Sequence, residues 1–301
     1  MATLAVVLVA LVFCLSGSVL TVLNKQIMSY LPTPNTVLFA QNAGTLLLLT
    51  IGKSFFGLKV DPLQRQKARR WFSLVLLFYA MLAASLMALR TVTATTIIVQ
   101  RNLGTVTVSI ADYLCLGTVQ TRQRVVAIFG MCIGSILYAW SDFCATSRFD
   151  LVGYCWLAVN IAATTVYQIK VKLLVNDLGM NSWTMAHYNN LLSLPVCILT
   201  AALQGEAPVL LKFIDSAVSI RRAASILISC TLGFCLSVSA FQLNRLISPT
   251  SITILNNTNK FVLIFFTAYF MDYSTLSTSS IWGATIVMIC AAYYSVSGIK
   301  L

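Results

Sequence analysis

Apolar runs of roughly 20 residues, interrupted by short polar intervals, make up almost the whole chain. They fall at 3–28, 34–56, 71–91, 93–115, 123–142, 151–174, 182–204, 223–245, 249–271 and 277–298, and each predicts a helix long enough to cross a bilayer. The intervals carry turn chemistry. Pro32 and Pro34 separate the first two runs, and Asn176, Asp177, Gly179 and Asn181 separate the sixth and seventh. Pro249 sits where a proline suits the first turn of a helix. The run from Thr3 to about Met28 is too long for a signal-peptide core and lacks a basic start, so it predicts a first span. No interval is long enough for a soluble domain. The expected fold is all-α, a polytopic membrane bundle of ten transmembrane helices forming one domain over 1–301.

Composition agrees with that pattern and excludes its rivals. The chain is 58% hydrophobic and 9% charged, against about 45–50% and about 25% in soluble proteins. A soluble domain could not clothe its surface with so few charges. Lys and Arg number 20 and Asp and Glu only eight, a formal charge of +12. In a soluble protein this excess suggests nucleic acid; in a bundle it divides between loop ends and intramembrane sites, with no nucleic-acid partner. Nine cysteines are scattered without metal-ligand spacing, and His187 is the sole histidine. Neither a metal site, a cofactor nor a disulfide framework is expected.

Basic residues also set an orientation. With both termini cytoplasmic, Lys59, Arg65, Lys67, Arg69, Arg70, Arg122, Arg124 and Arg245 lie on the cytoplasmic side, with Lys170 and Lys172 near it. Arg90, Arg148, Lys212, Arg221 and Arg222 lie opposite, partly offset by Asp142, Asp150, Glu206 and Asp215.

Two halves of the chain echo one another. Thr93–Asn102 resembles Ser248–Asn257, with Thr95, Ile97 and Asn102 pairing with Thr250, Ile252 and Asn257 at a separation of 155. Phe39-Ala40-Gln41-Asn42 matches His187-Tyr188-Asn189-Asn190 at 148. The order and near-equal spacing predict two five-helix repeats, approximately 1–145 and 149–301. Such repeats place a substrate site at their interface near the bilayer midplane.

Charges deep inside apolar runs are the informative residues, since each is costly without a partner or a cavity. Arg101 lies in the fourth run and Lys260 in the ninth, the two runs paired by the repeat. Gln100 and Asn102 flank the first, and Asn256, Asn257, Thr258 and Asn259 lead into the second. Asp112 is the only acid well inside a run, about three turns from Arg101 and too far to touch it. Two central cations without acids imply an anionic substrate. The same scarcity of acids argues against proton or sodium coupling and for exchange of one anion for another. Asn24 and Lys25 lie toward the end of the first run, where Lys25 can serve a site or snorkel to the interface.

In the seventh run Asn189 and Asn190 offer paired donors and acceptors, and Ser237 and Ser239 add hydroxyls in the eighth. These groups can read a base edge or can bond helix to helix, and the residues alone leave both readings open. Asn256-Asn257-Thr258 fits the glycosylation pattern but lies mid-span, out of reach of a transferase. No nucleophile–base constellation appears, so an enzyme is not expected.

Taken together these residues resemble the Golgi nucleotide-sugar transporters of the drug/metabolite transporter superfamily, most closely the GDP-mannose transporters. The Phe-Tyr-Asn-Asn motif of that family is matched by His187-Tyr188-Asn189-Asn190, and its Gly-Ala-Leu-Asn-Lys motif by Asn259-Lys260, with Asn256, Asn257 and Thr258 in the first three places. Arg101-Asn102-Leu103 stands where relatives have Lys-Asn-Leu, and Asn24-Lys25 extends the likeness to the first span. The resemblance implies that Asn189 and Asn190, with Ser237 as a helper, bind guanine, and it counts Tyr188 of the same motif among the substrate-binding residues. It places Lys260 at the diphosphate, with Arg101, Asn102, Asn24, Lys25, Asn256, Asn257 and Asn259 completing the substrate site. Where the family has tyrosines toward the sugar, this chain aligns Phe13, Ile97 and Ile252, so the sugar is left open. The implied function is antiport of a GDP-sugar, GDP-mannose-like, into the Golgi or endoplasmic reticulum lumen against GMP, by alternating access in a multi-pass membrane protein. A UDP-sugar or sugar-phosphate exchanger of the same superfamily is the alternative. Expected partners are the nucleotide sugar, the nucleoside monophosphate and the bilayer, with a homodimer left open.

Overall fold

The computed structural model describes residues 2–89, 92, 94–145, 151–215, 220–270 and 277–297. Arg90, Thr93, Arg148 and Asp150 lie outside the described residues, as do the side chains of Thr95, Asp142, Lys212 and Asp215. Eleven helices and no strand are found among the described residues. They are α1 (Ala2–Tyr30), α2 (Pro34–Phe56), α3 (Arg65–Leu89), α4 (Ala94–Leu116), α5 (Arg122–Ala145), α6 (Leu151–Leu178), α7 (Ser182–Leu203), α8 (Ala207–Asp215), α9 (Ile220–Leu246), α10 (Pro249–Phe270) and α11 (Thr278–Val296). Each of the ten apolar runs is helical over its described residues, but for single residues at the ends of two of them. The additional element, α8, has nine residues and occupies what the sequence reads as a connection.

Among the described residues, four stretches combine the length and hydropathy needed to cross a membrane: Leu4–Tyr30, Arg122–Trp140, Ile220–Leu246 and Thr278–Val296. Hydropathy is lowered in α2, α4, α7 and α10 by polar residues that the fold buries, among them Gln41, Asn42, Gln100, Asn102, Asn190 and Asn257. Polar groups turned inward in this way need hydrogen-bond partners within the protein.

The chain divides into two compact units, with boundaries inside α3, inside α6 and between α9 and α10. One comprises Met1–Val75 with Leu174–Leu246, the other Leu76–Leu173 with Ile247–Leu301.

In the first unit α1 packs on α9, α2 packs on α7 and α9, and α7 packs on α9. Close approach of α2 to α9 depends on Gly44, where a Cβ would lie 2.6 Å from that of Cys230. The α2 N-terminus is held from far along the chain. Its N-cap residue, Thr33, makes no capping bond with its side chain, and its buried hydroxyl has no partner. Instead the buried Glu206 carboxylate accepts from the backbone N–H groups of Asn35 (3.0 Å) and Thr36 (2.8 Å), from Asn35 Nδ2 (2.7 Å) and from the Thr36 hydroxyl (2.7 Å). A carboxylate there satisfies orphan donors and complements the positive end of the helix dipole.

In the second unit α4 packs on α5, α5 on α11, and α10 on both α4 and α11. Gly130 and Gly134 on α5 and Gly283 on α11 let two backbones meet. A Cβ on Gly283 would stand 2.3 Å from the Tyr138 nitrogen and 2.5 Å from the Gly134 oxygen. Small residues four apart are the usual means by which membrane helices pack tightly. Beside this contact Met131, Tyr138, Ile254, Phe261, Val287 and Tyr294 form an apolar core, with the Tyr138 and Phe261 rings edge to face at 5.6 Å.

Candidate functional site

The two mid-helix cations belong to the second unit. Arg101, on α4, is half-buried, and Lys260, at the middle of α10, is exposed. Both line one cavity of about 10 Å³, together with Ile98, Asn102, Asn257 and Phe261, room for about one water. Their positions follow from the crossing of α4 and α10, which Asn257 fastens. Its Nδ2 donates to the Arg101 carbonyl and to the Thr105 hydroxyl, each at 3.0 Å, and lies 3.5 Å from Asn102 Oδ1. The two asparagines meeting there are those the sequence pairs at a separation of 155.

Neither cation has an ion pair with an acid among the described residues, and Lys260 experiences the positive charge of Arg101. Asp112, the acid on α4 itself, is engaged elsewhere. Asp112 is wholly buried and accepts from the Thr250 hydroxyl at 2.6 Å, with the Thr250 N–H at 3.4 Å, so it caps α10. Lys172 donates to the Ile247 carbonyl at 2.9 Å and brings its charge toward Asp112. Two like charges sharing a cavity without a counter-charge can be satisfied by an anion. Phosphate oxygens fit this donor set, since Arg offers a planar fork and Lys a compact point charge.

The first unit carries the expected base-reading residues. Asn190, buried on α7, donates through Nδ2 to the Ala186 carbonyl at 2.7 Å and to Ser237 Oγ on α9 at 2.9 Å. Asn189 is half-buried, and its amide makes no hydrogen bond among the described residues. Asn24 Oδ1 accepts from Gln41 Nε2 at 2.8 Å, while Lys25 is exposed. His187 is half-buried, with Nδ1 lacking a partner.

Tyr188 occupies a different setting from its motif neighbours. It is completely buried, and its hydroxyl accepts from Gln64 N at 2.7 Å and donates to the Pro62 carbonyl at 2.8 Å. Asn181 Nδ2 donates to the Lys59 carbonyl at 2.6 Å, and Asp61 N donates to the Thr184 hydroxyl at 3.0 Å. These bonds clasp the α2–α3 connection onto the start of α7.

The structure therefore brings Arg101, Asn102, Asn257 and Lys260 together in one unit and Asn190 with Ser237 in the other. Asn256 and Asn259 are half-buried on α10. Phe13, Ile97 and Ile252 are buried, and Ile97 packs with Ala88 and Leu157. Sequence reasoning missed the Glu206 cap and the Gly134–Gly283 contact. The glycine pair at 130 and 134 is a readable signal for the second; nothing local signals the first.

No family model matches the chain. Known proteins do. It is 26% identical to the GDP-mannose transporter GONST3 of Arabidopsis thaliana, covering 97% of this chain and 78% of that protein. It is 27% identical to GDP-fucose transporter 1 of the same plant over 84% of this chain and 74% of that one. A GDP-mannose transporter of Aspergillus niger matches at 23% over 98% and 81%. A solved crystal structure superposes over 98% of this chain and 99% of its own with a TM-score of 0.66 at 12% identity, which bears on the fold alone. The likeness to nucleotide-sugar transporters read from the motifs is borne out across most of the chain.

Proposed function

We propose that this chain is a GDP-sugar transporter of the Golgi or endoplasmic reticulum membrane. It spans the bilayer ten times as two five-helix repeats, approximately 1–145 and 149–301, with both termini cytoplasmic. It admits a GDP-sugar to the lumen in exchange for GMP by alternating access. Arg101 and Lys260 receive the phosphates. Asn189, Asn190 and Ser237 read guanine, with Asn24 and Lys25 on α1 and Asn102, Asn256, Asn257 and Asn259 around the cations as supporting residues. Tyr188 acts by fixing the start of α7.

One observation carries this reading: Arg101 and Lys260 share a cavity without an acidic partner, because Asp112 caps α10. Nucleotide sugar and monophosphate both bring phosphate to the same two cations, which suits exchange. The names of the relatives favour a GDP-linked cargo. The repeat gains support from α2 packing on α7 and α4 on α10, the pairs whose sequences match.

The test is uptake of labelled GDP-mannose, GDP-fucose and UDP-sugars into proteoliposomes preloaded with GMP or UMP. Exchange of GDP-sugars against GMP is expected, and its loss in Arg101→Ala and Lys260→Ala. Exchange with UMP but not GMP would overturn the guanine assignment. Full activity in both alanine variants would overturn the phosphate assignment.

A further inference from the structure

A second cavity, in the first unit, is lined by none of these residues. It has a volume of about 320 Å³ and is lined by Phe39, Ile198, Ala201, Ala202, Ala207 and Leu210, with Thr36 and Cys197. That volume is within the range of small-ligand sites, which normally combine an apolar wall with a few free polar groups. Here the polar groups are already engaged. The Thr36 hydroxyl donates to Glu206 at 2.7 Å, and Cys197 Sγ accepts from Asn42 Nδ2 at 3.5 Å. What remains recognises only hydrocarbon, and an apolar cavity of this kind does not hold water.

Its surroundings say which hydrocarbon. After α7 the chain turns at Gly205, in the left-handed region at φ +66°, and enters α8 beside the cavity. Ala207, Leu210 and Phe213 recur at helical spacing; the first two line the cavity and the third stacks on Tyr30 at 6.0 Å. Outside the cavity Leu203 is 77% exposed and Leu211 60%, an apolar rim that belongs at the edge of a bilayer. On Tyr30, the partner of Phe213, lies a basic side chain. The Arg222 guanidinium lies 5.5 Å above the Tyr30 ring, and Arg221 beside it is exposed.

We propose that this cavity is a binding site for one anionic phospholipid, an acyl chain between α2, α7 and α8 and the phosphate at Arg221 and Arg222. Helix α8 links the two parts, since Ala207 and Leu210 line the cavity while Phe213 stacks on the Tyr30 ring that Arg222 covers. The site is independent of the transport assignment.

Native mass spectrometry of the detergent-purified full chain, titrated with phosphatidylglycerol, phosphatidylcholine or oleate, tests it. One phosphatidylglycerol is expected to be retained about tenfold better than phosphatidylcholine or oleate. Ala201→Phe fills the cavity and abolishes retention; Ala207→Phe does the same from an exposed position on α8, should the first variant misfold. Replacing both arginines by glutamine brings phosphatidylglycerol down to the phosphatidylcholine level. Equal retention in a folded phenylalanine variant and the parent overturns the site. Equal retention of oleate overturns the phospholipid, and a phenylalanine variant that dissociates a dimer while keeping its lipid assigns the cavity to a second copy instead.

Discussion

Replacing Glu206 by alanine removes a cap whose effect can be worked out from its bonds. Four hydrogen bonds are lost at once: from two backbone N–H groups in the first turn of α2, from the Thr36 hydroxyl and from the Asn35 amide, which keeps its bond to Gln204 Oε1. Loss of an ordinary N-cap costs about 0.5–2 kcal/mol, and hydrogen bonds to a charged group are worth about 1.5–3 kcal/mol each. Such terms do not add within one cluster, and water can reach part of the vacated space, so about 3 kcal/mol is expected. At about 2–4 °C per kcal/mol this is a fall of roughly 8 °C in Tm. The acid side has its own signature. Burial alone raises the Glu206 carboxyl, but the bonds from Asn35 and Thr36 outweigh it and hold the group below the usual carboxylate range. The stabilisation is therefore complete above the unfolded value near about 4.3 and is lost as pH falls through the folded one. Glu206→Gln has one acceptor oxygen in place of two, so it lies between parent and alanine at neutral pH, and the parent's advantage over it narrows in acid. Thermal unfolding in detergent across pH reads both effects. A Glu206→Ala protein melting within about 1 °C of the parent would refute the reasoning.

Three other changes probe the packing around the candidate residues. Asn257→Leu keeps the volume but removes the Asn257 amide from the Arg101 carbonyl and the Thr105 hydroxyl, so a loss of about 2 kcal/mol in thermal unfolding is expected, accompanied by impaired exchange. Gly283→Ala drives a methyl into the α5 backbone and should destabilise by about 1–3 kcal/mol or prevent monodisperse purification; a normal melting profile counts against that close approach. Tyr188→Phe unpairs Gln64 N and the Pro62 carbonyl, for about 1–2 kcal/mol, while the preference for GMP over UMP stays at the parent value. A switch in that preference would put the hydroxyl on the substrate.

The helices were legible because their lengths are set by the bilayer and their ends by turn residues. The run read at 34–56 is α2, and that read at 182–204 ends one residue beyond α7. α8 escaped notice because nine residues are too few to span, and a short amphipathic stretch resembles a loop. The meeting of Asn102 and Asn257 could be anticipated because equivalent positions of a repeat can approach one another. Tyr188 shows the limit of motif reading. It stands beside two asparagines in sequence, yet a single residue step turns about 100° around a helix, and its hydroxyl faces a connection more than 120 residues upstream. Glu206 shows the limit of local reading, since it caps a helix 171 residues away.

The capping of α10 by Asp112 has an electrical consequence. With that acid committed, alternating access as proposed would carry the charge of Arg101 and Lys260 through the membrane field in the cargo-free protein, at about 2.3 kcal/mol per charge per 100 mV. On the proposed assignment, bound phosphate would bring the site close to neutral and leave the field little hold on it. Exchange of one phosphate-bearing cargo for another should thus be indifferent to voltage, while efflux without a counter-substrate should respond to it steeply. Tracer efflux from vesicles clamped at opposite potentials, with and without GMP on the far side, distinguishes the two; an equal response in both would mean that the cations do not travel through the field.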